Sequence, residues 1–134
     1  EIFLSAMIFD GVFARHPGLR AISMEHGAFW LPSWFRALDY TASLFKRQKK
    51  YDQMPSEVAR KHLKVSPFAG EPVGWIIENV GNEMLVFASD YPHPEGTSDP
   101  IKKFEAKMEN CDESTMEAFY HGNMEELMGI SLSE

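Results

Sequence analysis

The sequence has little cysteine and no long hydrophobic segment. Cys111 is the single cysteine among 134 residues, so an internal disulfide is impossible and nothing requires an oxidising compartment. The longest apolar run near the start, residues 2–9, is interrupted by Ser5 and is far shorter than the ~20 residues that a membrane-spanning helix needs. We therefore expect a cytoplasmic protein that has no membrane partner.

Positive charge is also scarce. Thirteen Lys and Arg residues stand against 20 Asp and Glu residues, which gives a net charge of -7. Such a surface repels phosphate groups, so we expect no nucleic-acid partner. The composition, 44% hydrophobic and 25% charged, is typical of one globular domain over residues 1–134. Because the chain starts at Glu1 within a predicted apolar helix, we expect it to be processed or truncated.

Apolar periodicity predicts an alternation of helices and strands. Three short apolar segments, 19–24, 63–66 and 84–88, are typical of strands. The third is apolar throughout, which indicates a strand buried on both faces of a parallel sheet. Helical spacing of apolar residues predicts helices near 2–13, 30–45, 75–80, 100–108 and 113–128. The order predicts an α/β fold with three parallel strands and right-handed crossovers.

Three parallel strands are few for a complete α/β sheet. A (β/α)₈ TIM barrel takes about 250 residues, so this chain is predicted to be the C-terminal part of such a barrel. Open sheet edges bind other strands readily. We therefore expect either a homo-oligomer or pairing with a missing N-terminal half of the same protein.

Titratable residues follow two of the predicted strands. His26 lies just past the first strand and Asp90 just past the third. Because neighbouring parallel strands are ~4.8 Å apart, the two strand ends would lie ~10 Å apart and could face one small-molecule substrate. A carboxylate after a wholly apolar strand needs a metal, a cation or hydrogen bonds to offset its desolvation. Asp90 is therefore either an acid-base or metal-binding residue, or a cap for the following turn.

The loop after Asp90 is rich in proline and carries further polar side chains. Tyr91, His93 and Glu95 are candidates for lining a substrate pocket. The alternative is a rigid, exposed turn without a binding role.

Residues 89–96, Ser-Asp-Tyr-Pro-His-Pro-Glu-Gly, resemble the last metal-site loop of the amidohydrolase-related family, which contains aminocarboxymuconate-semialdehyde decarboxylase. Residues 11–20, leading into 25–32, resemble the sixth barrel strand and its flanks. Residues 123–129 resemble the terminal helix, although Met124 stands where alanine is usual. The resemblance covers essentially the whole chain.

The resemblance implies a metal-dependent barrel, commonly containing zinc, that hydrolyses C–N or C–O bonds or decarboxylates small aromatic or unsaturated acids. It implies that Asp90 is the metal ligand after the eighth strand and exchanges a proton during catalysis. It also implies that His26 is the acid-base residue past the sixth strand.

The family's other metal ligands are not found in this sequence. No His-x-His occurs, and the metal-binding histidine near the fifth strand is also absent. A catalytic zinc takes three protein ligands, so we expect this chain alone to bind zinc weakly or not at all and to be inactive. The rival hypothesis is a non-catalytic half-barrel that serves as an assembly or binding module.

Overall fold

Helices make up most of the fold, and the strands between them are short. The computed structural model describes residues 1–93 and 96–131. The helices are α1 (Ile2–Phe9), α2 (Val12–Arg15), α3 (Leu31–Leu44), α4 (Pro55–His62), α5 (Val73–Val80), α6 (Pro100–Glu105), α7 (Glu113–Glu117) and α8 (Asn123–Met128). A 3₁₀ turn, Asn82–Met84, follows α5, and a π-helical turn, Ala118–Gly122, joins α7 to α8. No described helix is long and apolar enough to cross a membrane.

The sheet contains two strands within the described residues, so the prediction of three strands is wrong. β1 (Ala21–Ser23) and β2 (Leu63–Val65) pair in parallel. The predicted third strand, residues 84–88, contributes a single parallel bridge between Val65 and Leu85. The segment therefore lies beside β2 in the expected direction without forming a strand of its own.

Burial explains why residues 84–88 have the composition of a strand. Met84 ends the 3₁₀ turn, and Leu85 is fully buried. Val86 donates its N–H to the Val65 carbonyl at 3.0 Å, but the next N–H, that of Phe87, is donated to Phe119 in the π-helical turn. An apolar run indicates burial, and periodicity alone does not separate a strand from other buried backbone.

The helix predicted over residues 30–45 is confirmed as α3. Pro32 lies in its first turn, where a missing N–H costs nothing. Trp34 and Leu38 are among the buried residues of one face, and this face packs against α4 and α5. The regular spacing of apolar residues in the sequence thus identifies the side of α3 that faces the core.

Helix α4 was not predicted, because residues 52–56 resemble a turn. Pro55 starts the helix, and the Glu57 carboxylate accepts the N–H of Met54 at 2.8 Å. Ala59 and His62 are buried on the inner face of α4. Four residues of this short, charged helix are buried, but only Pro55 and Ala59 of them are apolar, so the spacing of apolar residues does not identify it.

Candidate metal and substrate site

The loops that follow the strands enclose a small cavity of ≈ 190 Å³. Glu25 reaches it from the loop after β1, Phe68 from the loop after β2, and Asp90 from the loop after the 84–88 segment. Ligands of parallel α/β folds bind at the carboxyl ends of the strands, and this cavity lies at that end.

Three titratable side chains lie close together here: Glu25 and Asp90 line the cavity, and His93 lies next to them outside its lining. Glu25, Asp90 and His93 each offer a ligand atom, and these atoms all lie within 4.8 Å of one another. Nδ1 of His93 is 3.3 Å from Oδ1 of Asp90. The second carboxylate oxygen of Asp90, Oδ2, is buried and has no hydrogen-bond partner within the described residues. A buried acceptor without a donor is uncommon and requires an explanation such as an ion.

The backbone at Glu25 and Asp90 is unusual in the same way. Their φ angles are 62° and 55°, in the left-handed region that residues other than glycine rarely adopt. Non-glycine residues in this region cost free energy and cluster at functional sites. Gly96 supports the Asp90 turn, because a Cβ at Gly96 would lie 2.5 Å from the Asp90 carbonyl oxygen. Only glycine fits this close approach.

The donor set fits a divalent cation. Two carboxylates and one imidazole are ligands that zinc and manganese both accept. Ligand atoms of a tetrahedral zinc ion at ~2.0–2.2 Å lie ~3.3–3.6 Å apart, so donor atoms separated by as much as 4.8 Å would move about 1 Å closer together on binding. The unpartnered Oδ2 of Asp90 provides an acceptor that such an ion would satisfy.

His26 does not line the cavity that contains Asp90. It lies instead beside a second, mostly apolar groove of ≈ 560 Å³, between α1 and β1, with Phe3 and Trp30 among the lining residues. Its Nδ1 atom lies 2.9 Å from the carbonyl oxygen of Glu25. The structure therefore does not bring His26 and Asp90 together around one cavity.

Two further residues, Tyr91 and Glu95, were predicted to bind substrate. Tyr91 is 79% exposed and lies outside the lining of the Asp90 cavity. Glu95 lies outside the described residues. Sequence reasoning missed Glu25, although a signal was present, because Glu25 is a carboxylate directly after the predicted strand 19–24 and next to His26.

Comparison with known proteins identifies the family. The sequence profile described as Amidohydrolase matches residues 4–130, so the chain belongs to the amidohydrolase family. No curated protein sequence matches the chain.

Solved structures share this fold. The chain is similar to an amidohydrolase from Mycobacterium avium subsp. paratuberculosis K-10, with 28% identity, a TM-score of 0.82, and coverage of 94% of this chain and 32% of that one. It is similar to 5-carboxyvanillate decarboxylase from Sphingomonas paucimobilis, with 26% identity, a TM-score of 0.71, and coverage of 95% and 38%.

A more distant neighbour supports the fold alone. It is a dihydroxybenzoic acid decarboxylase from Polaromonas sp. JS666, solved with manganese and the inhibitor 2-nitroresorcinol. The identity is 18%, the TM-score 0.72, and the match covers 96% of this chain and 39% of that one. The chain thus spans between 32% and 39% of the length of these three structures.

Proposed function

We propose that this chain is the C-terminal portion of a metal-dependent amidohydrolase-family enzyme that decarboxylates, or alternatively hydrolyses, a small aromatic or unsaturated acid. The observation that carries the proposal is the convergence of Glu25, Asp90 and His93 at the strand ends. The similarity to 5-carboxyvanillate decarboxylase supports decarboxylation as the first choice.

We propose Asp90 as the central metal-binding residue, with Glu25 and His93 as additional groups that would hold the ion. Zinc is the first candidate, because the family resemblance implies it. Manganese is the second, because carboxylate oxygens suit it and the Polaromonas decarboxylase carries it. When bound, such an ion supplies Lewis acidity that polarises a substrate oxygen.

The chain's own residues would bind and orient the substrate. Apolar groups of Met24, Pro67 and Phe68 line one side of the cavity and suit the hydrocarbon part of an organic acid. His93, whose Nδ1 lies 3.3 Å from Oδ1 of Asp90, would orient that carboxylate or hold a proton beside it. We also propose His26 as an acid-base residue, which lines the neighbouring groove.

The proposal is tested in two steps. The first measures Mn²⁺ and Zn²⁺ binding, which should be weak in this chain and stronger once the upstream polypeptide is joined to it. Asp90→Asn should weaken binding in both proteins because it removes a charge and a ligand. The second joins the chain to the polypeptide encoded upstream and measures CO₂ release from hydroxylated benzoic acids. Hydrolysis of amide and ester substrates is assayed in parallel. Asp90→Asn protein that binds metal and turns over normally would overturn the proposal.

A second candidate is a non-catalytic half-barrel that assembles with another chain. The groove between α1 and β1 favours it, because Phe3 is 74% exposed there and β1 pairs on one side only within the described residues. Absence of both metal binding and turnover in the two-step test, together with self-association of the chain, would favour this candidate.

A further inference from the structure

Glu71 connects the two loops that shape the cavity. It lies between β2 and α5, and its carboxylate accepts hydrogen bonds from the backbone N–H groups of Ala28 and Phe29, at 2.8 Å and 2.9 Å. Its Oε2 atom also accepts the N–H of Phe68 at 2.9 Å. One carboxylate therefore accepts hydrogen bonds from three backbone donors on two separate loops, and it is not itself part of the cavity lining.

The fit around Glu71 is close. A Cβ at Gly27 would lie 2.6 Å from Oε1 of Glu71, so a side chain at position 27 would displace the Glu71 carboxylate. Gly27 itself has φ 61°, and Glu25, two residues earlier, has φ 62°. The bonds from Ala28 and Phe29 thus anchor the end of a turn that contains two left-handed residues.

We propose that Glu71 is a positioning residue, which holds the loop after β1 so that the Glu25 carboxylate faces Asp90 and His93. The inference rests on the proposed function for its metal-binding consequence. Residues that hydrogen-bond behind a metal site, without touching the ion, fix the orientation of the ligands and affect affinity strongly. Glu71 does not line the cavity itself, so its effect would be transmitted through the loop.

The first test variant is Glu71→Gln. A glutamine has a single acceptor oxygen, so it cannot accept hydrogen bonds from Ala28, Phe29 and Phe68 together. Its NH₂ group would also be placed against a backbone N–H, and two donors cannot form a hydrogen bond. The matched control is Asp39→Asn. Asp39 also joins two elements through hydrogen bonds, to the N–H and hydroxyl of Ser56 at 2.9 Å and 2.7 Å, but it connects α3 to α4 away from the cavity.

The second test variant is Gly27→Ala, which displaces Glu71 without removing its charge. Its control is Gly129→Ala, because Gly129 also has a left-handed φ of 66° but has open space where the added methyl group would lie. The comparison separates the contact with Glu71 from backbone strain. If the Glu71→Gln variant does not fold, the Gly27→Ala variant takes its place in the test.

Two readouts are measured on the 134-residue chain. Nuclear Overhauser contacts between the Glu25 side chain and the His93 ring report the loop geometry without metal. Paramagnetic broadening of backbone amide signals by Mn²⁺ reports binding even when it is weak. We expect Glu71→Gln and Gly27→Ala to lose the Glu25–His93 contacts and to raise the apparent Kd for Mn²⁺ by about 10–100-fold. Both controls should keep wild-type contacts and wild-type Kd.

The outcomes distinguish this inference from the proposed function. If the wild-type chain shows the Glu25–His93 contacts but no Mn²⁺ broadening, the proposed metal site is contradicted. The contacts in the variants then decide alone whether Glu71 positions the loop. Retention of those contacts in Glu71→Gln overturns the inference. It is overturned equally if Asp39→Asn loses them to the same extent, because Glu71 would then act only through general stability.

Discussion

His93 and Asp90 face each other across one turn of the loop, with Nδ1 of His93 3.3 Å from Oδ1 of Asp90. The same turn is closed by the N–H of His93, which donates to the Asp90 carbonyl oxygen at 2.8 Å. The histidine side chain is 54% exposed, whereas that of Asp90 is 20% exposed. The pair therefore joins an exposed group outside the cavity lining to a largely buried group that lines the cavity, and their contributions to metal binding should differ.

We expect His93→Ala to weaken Mn²⁺ binding by about tenfold, which corresponds to about 1.4 kcal/mol. The effect should be smaller than that of Asp90→Asn, because an exposed imidazole can be replaced by water. His26→Ala should leave metal binding unchanged, since His26 lines a different groove. Isothermal titration calorimetry compares the three variants, and a loss of binding in His26→Ala would show that the two cavities form one site.

The ion pair between Lys64 and Glu126 leads to a stability prediction. The Lys64 side chain is 4% exposed, and its Nζ atom lies 2.6 Å from Oε2 of Glu126 and 2.7 Å from the Glu83 carbonyl oxygen. Glu126→Ala leaves a buried ammonium group with one carbonyl partner and should cost about 1–3 kcal/mol. Lys64→Met should cost less, because methionine fills the space and the half-exposed Glu126 remains hydrated.

Urea denaturation measures the Lys64 and Glu126 variants, with Glu117→Ala on α7 as a control. A larger loss of unfolding free energy in Lys64→Met than in Glu126→Ala would contradict the prediction. It would mean that packing of the lysine stem, and not its buried charge, determines the stability of this region.

The groove beside β1 leads to a prediction about assembly. Ile2 and Phe3 are exposed apolar residues of α1, and Ile22 and Met24 are exposed at and after β1. Apolar surface next to a strand edge that has no partner among the described residues favours association, so we expect the chain to form dimers or larger species. Phe3→Glu should shift it towards monomer.

Size-exclusion chromatography with light scattering tests this prediction. Tyr40→Glu is the control, because Tyr40 is an exposed aromatic residue on α3 away from the groove. A wild-type chain that is monomeric at all concentrations would contradict the expectation of self-association. Equal dissociation by both variants would assign the interface to a different face.

The Cys111 thiol should become reactive at a higher pH than an ordinary cysteine does. Burial raises the pKa of the Cys111 thiol, and the negative charges of Glu78 and Asp112 raise it further. Because the thiolate is the reactive form, alkylation by iodoacetamide should begin at higher pH than for an unperturbed thiol. Glu78→Gln should accelerate the reaction at fixed pH, but it should not restore the rate of a free thiol, since burial is the larger cause.

The labelling rate is followed by mass spectrometry from pH 7 to about 10, a range that brackets the ordinary thiol pKa. Glu105→Gln is the control, because Glu105 is not among the charges that act on Cys111. A Glu78→Gln rate equal to that of the wild-type chain at every pH would contradict the assigned role of that charge.

Features that depend on neighbouring residues in the chain were predicted well from the sequence. One example is the row of apolar residues on the buried face of α3. Another is the start of α7, where Asp112 caps the helix by accepting the Thr115 N–H at 2.8 Å. The loop containing Asp90 also identified the family, which the match over residues 4–130 shows. Periodicity, capping and short motifs are local properties, so one sequence is sufficient to read them.

Features that depend on distant contacts were decided by the tertiary structure. In residues 84–88, the N–H of Phe87 donates to the carbonyl oxygen of Phe119 and not to β2, so the segment adds only one bridge to the sheet. The structure groups Glu25 with Asp90 and His93 and places His26 at a different groove, and the backbone at positions 25 and 90 is left-handed. Left-handed backbone is rare for glutamate and, although more frequent for aspartate, it is not predicted at a given position by propensity, because the surrounding contacts hold it in place.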